Sequence, residues 1–109
     1  LAKFCAATLH SGVKYVNGQK AFTCLAEVSG GGGSYLEEAI ARGADCLVTG
    51  EAAHHIALLA SKGIGLVVAG HWGTEHAIAD VLAVQLEKQF PALTVAHAEA
   101  DADPYSYLL

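Results

Sequence analysis

His71 and Glu75 are the two residues whose types and spacing could do chemistry together. They stand four apart, and residues four apart on a helix share a face, so an imidazole and a carboxylate there converge on one point. Such a pair can hold a metal ion, shuttle a proton, or simply hydrogen-bond to itself. It follows directly on Leu66-Val67-Val68-Ala69-Gly70, four apolar residues and a glycine that read as a buried strand ending in a tight turn. Glu51 stands in a similar place, just after Cys46-Leu47-Val48-Thr49-Gly50. His54 and His55 follow it by three and four residues, one of them facing inward with Glu51 or both lying on an ordinary helix surface. His10, His76 and His97 carry no such signal.

The run Ser29-Gly30-Gly31-Gly32-Gly33-Ser34 is the third candidate. It lacks the Gly-Lys-Ser/Thr ending of a P-loop, and Tyr35 stands where a GxGxxG pattern would need its last glycine. It reads as an anion site at a helix start, as a tight turn against a neighbouring backbone, or as a flexible spacer. A dinucleotide site would want an acidic residue at the end of the second strand, and neither Asp45 nor Glu51 is well placed for that. Ser34 with Glu37 three residues on predicts a capping box. No GxSxG elbow, HExxH pair or protease-like Cys–His spacing occurs.

The elements that must position these residues follow from the hydrophobic pattern. Leu1 to His10 has helical spacing. Val13 to Val16 and Ala21 to Val28 read as strands joined by a hairpin at Asn17-Gly18, the strongest short hairpin signal. A helix is expected over Tyr35–Ala41, stopped at Gly43, then a strand over Cys46–Thr49, a helix over Ala52–Ser61 and a strand over Gly65–Ala69. Apolar residues at 78, 81, 82 and 86 predict a long helix from about Gly73 to Phe90, stopped by Pro91. Leu93 to Val95 reads as a last strand, and Asp103-Pro104-Tyr105 as a turn. The fold class expected is α/β: alternating strands and helices, a mostly parallel sheet covered by helices, and an initial hairpin. A parallel sheet would bring the three strand ends at Val28, Thr49 and Ala69 to one edge, where ligands bind in open α/β sheets.

Composition narrows the class. The 109 residues suit one domain, 1–109. They are 53% hydrophobic and 16% charged, with a mean hydropathy of +0.38, apolar enough to expect strands covered on both faces and surface sealed by a partner subunit or a missing domain. Net charge is −5 and no Lys/Arg run occurs, which argues against nucleic acid and anionic membrane as partners. Cys5, Cys24 and Cys46 lack CxxC spacing and lie in apolar surroundings, predicting reduced, buried thiols and a cytoplasmic setting. There is no signal-peptide pattern and no apolar run long enough to span a membrane. The opening on Leu1, inside a helical pattern, reads as a piece of a longer protein.

Gly33-Ser34-Tyr35-Leu36-Glu37-Glu38-Ala39, Thr49-Gly50-Glu51, Ala69-Gly70-His71-Trp72-Gly73-Thr74-Glu75 and the closing Asp103-Pro104-Tyr105 occur in an order and spacing that resemble the carboxyl-terminal half of the Nif-three-like family, also called GTP cyclohydrolase I type 2 homologues. The resemblance runs from about Val13 to the end. It implies a dinuclear centre of divalent metal ions (zinc, iron or manganese), often in a toroidal homohexamer, with hydrolysis of a nucleotide-like small molecule. His71 and Glu75 match two metal ligands of the family, and Glu51 matches a glutamate close to the centre that could act as base or orient a ligand. The other ligands, a His-His pair and an aspartate, belong to an amino-terminal half outside these 109 residues; His54 and His55 are not that pair. An alternative is a non-enzymatic oligomeric or regulatory metal-binding module.

Overall fold

The computed structural model describes residues 1–18 and 21–107. Helix α1 (Ala2–Leu9) precedes strand β1 (Lys14–Val16) and strand β2 (Leu25–Val28). A short 3₁₀ turn (Gly32–Tyr35) leads into α2 (Leu36–Ala41), followed by β3 (Cys46–Thr49), α3 (His54–Ala60), β4 (Gly65–Val68), α4 (His71–Glu75) and α5 (Ala77–Gln89). The strands form one sheet in the order β1-β4-β3-β2, with β2, β3 and β4 parallel and β1 antiparallel to β4. The sheet is therefore mostly parallel and the class is α/β, as the alternating pattern requires.

Strand alternation explains why the central strands are apolar throughout. Leu66 and Val68 point to one face, joining Leu47, Leu36, Ala60 and Ile64 in a cluster beneath α2 and α3. Val67 and Ala69 point to the other, with Cys46 and Cys5 of α1. Every residue of β4 is buried, the signature of a strand covered on both sides. Burial pushes the Cys46 thiol up from its ordinary pKa, and Cys5 adds to the shift, so it stays protonated. Cys24, expected to be buried with them, is exposed.

Other expectations also change. The hairpin does not form: β1 pairs with β4, Tyr15 opposite Val67, and β2 lies at the far edge of the sheet. Asn17-Gly18 is thus a local signal overridden by a long-range pairing, and Gln19 and Lys20 lie outside the described residues. Strand β2 begins later than expected because the Asp45 carboxylate accepts from the Thr23 and Cys24 amides, at 2.9 and 3.1 Å. The capping box is not made. Ser34 lies inside the 3₁₀ turn, and α2 starts after Tyr35 without a side-chain cap. The helix stops as expected, with Gly43 left-handed (φ 81°) and the Gly43 and Ala44 amides closing back on Ile40 and Ala39. Leu93 to Val95 is not a strand, and α4 and α5 are separate helices where one was expected.

Candidate metal-ligand site

The three parallel strands end on one edge, and their loops are stitched together there. The Glu51 amide donates to the Gly30 carbonyl at 2.8 Å, and the Gly70 amide to the Gly50 carbonyl at 3.0 Å. Thr74 closes the ring. Its Oγ1 accepts from the Gly30 amide at 2.9 Å and lies 3.0 Å from the carbonyls of Gly70 and His71, donating to one of them. Beneath, the fully buried Thr49 Oγ1 accepts from the Gly32 amide at 2.9 Å and reaches the Gly30 carbonyl at 3.2 Å. The Gly33 amide goes to the Glu51 carbonyl. Three amides of the glycine run are thus engaged inside the fold. The run acts as a tight turn against neighbouring backbone, and the anion-site reading loses three of the run's four glycine amides.

His71 opens α4 immediately after Gly70, whose φ of 87° turns the chain sharply out of β4. Its ring lies between two carboxylates. Nδ1 is 3.2 Å from Glu51 Oε1, and Nε2 is 3.2 Å from Glu75 Oε2. All three side chains are about half exposed, so solvent and ligands can reach them. Gly30 explains the closeness of this trio. A Cβ at Gly30, which has φ 63°, would meet the Glu75 carboxylate and stand 3.0 Å from His71 Nε2.

The chemistry of these contacts is specific. A neutral imidazole that donates Nδ1–H to Glu51 presents a lone pair at Nε2. A lone pair facing a carboxylate oxygen repels it, so the Glu75 contact is attractive only with a proton or a cation between them. Carboxylate–imidazole–metal is a recurrent arrangement in which the outer carboxylate fixes the tautomer and orientation of the ring. At a spacing of 3.2 Å, Nε2 and Oε2 would both be available to hold one divalent ion. This donor set fits a divalent metal as two ligands and one orienting carboxylate. Among the described residues no group of three or more His, Cys, Asp or Glu is placed to hold a metal by itself.

Beside the trio opens a cavity of about 740 Å³. Its wall includes Trp72, whose ring stacks on His76 at 4.0 Å with the planes 5° apart, and whose Nε1–H donates to Asp101 Oδ1 at 3.1 Å. The closing turn completes it. Asp103 accepts from the Tyr105 amide and from the Tyr107 hydroxyl at 2.7 Å, which hold its carboxyl below the ordinary value. Tyr107's phenol is raised by the same carboxylate.

Of the other histidines, His55 lines a shallow groove with Glu51 and Ser34, and His54 lines another with Lys14. Neither pairs with His71. Sequence reasoning missed the roles of Gly30, Thr74, Trp72 and His76. The last two are four apart on the chain, the same spacing logic that singled out His71 and Glu75.

A sequence model of the family described as Duf34/NIF3 (NGG1p interacting factor 3) matches residues 1–104. The chain belongs to the Duf34/NIF3 family. The match begins at residue 1, so helix α1 belongs to it and not only the chain from Val13. A Clostridium acetobutylicum protein named GTP cyclohydrolase 1 type 2 homolog is 30% identical over 88 residues, covering 76% of this chain and 33% of that protein. A Pyrococcus horikoshii protein of the same name is 40% identical over 72 residues, covering 65% of this chain and 28% of its own length. Among solved structures, the Staphylococcus aureus hypothetical protein SA1388 superimposes with a TM-score of 0.84 at 28% identity, covering 98% of this chain and 38% of that one. The chain thus spans about a third, or less, of the length of the curated Duf34/NIF3 relatives it matches. No helix among the described residues is long and apolar enough to cross a membrane.

Proposed function

We propose that His71 and Glu75 are ligands of a divalent metal (zinc, iron or manganese) and that the complete protein uses the centre to hydrolyse a nucleotide-like small molecule. The observation that carries this is the Nε2–Oε2 contact of 3.2 Å, which calls for a cation or proton between its two atoms while Glu51 holds the opposite ring nitrogen. A divalent ion there supplies Lewis acidity and brings the pKa of water toward roughly 7. Glu51 orients the His71 ring through Oε1 and keeps Oε2 free of that contact to accept a proton. Glu75 and Glu51 together supply the negative charge that selects a cation over an anion.

Metal analysis of the purified protein beside His71→Ala, Glu75→Ala and Glu51→Gln tests the reading. The first two are expected to lose bound metal. Glu51→Gln is expected to weaken metal affinity or turnover by about 10–100-fold, as outer-shell substitutions do. Equal metal content in the protein and its His71→Ala and Glu75→Ala variants would overturn it.

A second reading, favoured by helix α5, is a homo-oligomeric module that binds metal without catalysis. None of α5's residues is buried, and Ile78, Val81 and Leu82 are each about half exposed. An apolar helix face of that kind suits a subunit contact. Absence of turnover across nucleotides with added Zn²⁺, Mn²⁺ or Fe²⁺, from a metal-loaded assembly, would favour this module over the hydrolase.

A further inference from the structure

We propose that the Trp72 wall of the cavity beside His71 binds a flat organic cation, a positively charged nitrogen heterocycle. This deepens the proposed function by naming a substrate class, and rests on it for where the reacting end of the ligand lies. At about 740 Å³ the cavity is of the size that holds a small organic molecule. Four carboxylates line it, those of Glu51, Glu75, Asp101 and Asp103, against Lys14 as the one lysine or arginine among the described lining residues. Glu51 and Glu75 belong to the His71 cluster. Asp101 and Asp103 do not, and their recorded partners are neutral: the Trp72 indole N–H, the Tyr105 amide and the Tyr107 hydroxyl. These donors orient the two carboxylates without cancelling their charge, and those on Asp103 favour its ionised form.

Aromatic rings lie among these charges. Trp72, Tyr105 and Tyr107 line the same cavity. Indole and phenol faces attract cations, and a carboxylate beside them strengthens the attraction. Trp72 is already held in place, by its stack on His76 and by its bond to Asp101, so little ordering remains to be done when a ligand arrives. A flat ring gains most from such a platform, because it adds stacking area to the charge. A compact ammonium gains the charge alone, and a neutral heterocycle only the stacking.

Trp72 is the single tryptophan of the chain, so intrinsic fluorescence reports this wall directly. The protein is titrated at pH 7 with 1-methyladenosine (a flat cation), adenosine (flat and neutral) and tetramethylammonium (a compact cation), with metal content measured on the same samples. Expected is saturable quenching by 1-methyladenosine, roughly tenfold tighter than by either of the others. Trp72→Leu, followed by equilibrium dialysis, is expected to weaken 1-methyladenosine binding roughly tenfold with the far-ultraviolet circular dichroism unchanged. Equal affinity for adenosine overturns the charge requirement, equal affinity for tetramethylammonium overturns the flat ring, and no binding overturns both. Failure of all three probes in protein whose metal is lost in His71→Ala sinks this inference alone. Binding of 1-methyladenosine as expected, with His71→Ala retaining its metal, sinks the metal reading alone.

Discussion

Gly30 is where the backbone makes room for the site. Its φ of 63° is a conformation that side chains rarely adopt, and the space a Cβ would take is held by the Glu75 carboxylate beside His71 Nε2. Gly30→Ala is therefore expected to act twice. Strain at the positive φ costs about 1–3 kcal/mol of stability, read as a lower urea midpoint. Displacement of Glu75 lowers metal uptake beyond what that loss explains, read as metal content of the folded fraction. A destabilised variant with full metal content would show that Glu75 has no need of its observed position. The His71–Glu75 spacing was legible in the sequence because both residues lie on one helix turn. Gly30 was not, because its neighbour Thr74 lies 44 residues away along the chain and a glycine run offers no local sign of which carboxylate it accommodates.

At the scale of elements, the edge depends on threonines that terminate or follow strands. Thr49 is fully buried at the end of β3, and its hydroxyl satisfies the Gly32 amide and reaches the Gly30 carbonyl. Thr49→Val keeps shape and volume but removes the stronger of that amide's two acceptors, leaving it only the Gly30 carbonyl at 3.0 Å. The cost expected is that of one lost hydrogen bond, about 0.5–1.5 kcal/mol, measured by chemical denaturation, with amide exchange at Gly32 faster than in the parent protein. Unchanged exchange would mean that the loop is held from elsewhere. The parallel core was legible for a related reason: strands buried on both faces are apolar at every position, as β4 is. The partner of β1 was not. Asn17-Gly18 favours a hairpin locally, while the register of Tyr15 on Val67 is a choice between edges of the sheet that no short stretch encodes.

At the scale of the whole molecule, helix α5 is unfinished business for the hydrophobic effect. Its apolar positions were predicted from their helical spacing, and the helix forms, yet Ile78, Val81, Leu82 and Leu86 remain 58%, 50%, 49% and 41% exposed. Periodicity identifies an apolar face but not what covers it, and among the described residues nothing buries it fully. In the proposed homo-oligomer a second copy does. Leu82→Glu separates assembly from folding, because a residue that is half exposed in the monomer contributes little to the monomer's core. Light scattering is expected to give a multiple of the 11.2 kDa chain mass for the protein and a smaller species for Leu82→Glu, with thermal unfolding of the dissociated chain still cooperative. A monodisperse monomer before substitution would rule out self-assembly through α5 and leave its apolar face to the rest of a longer protein, consistent with relatives of which this chain spans about a third or less. The same measurement bears on the metal centre. If His71 and Glu75 hold their ion only with ligands from elsewhere, metal content falls when Leu82→Glu breaks the assembly, although that substitution lies outside the His71 cluster.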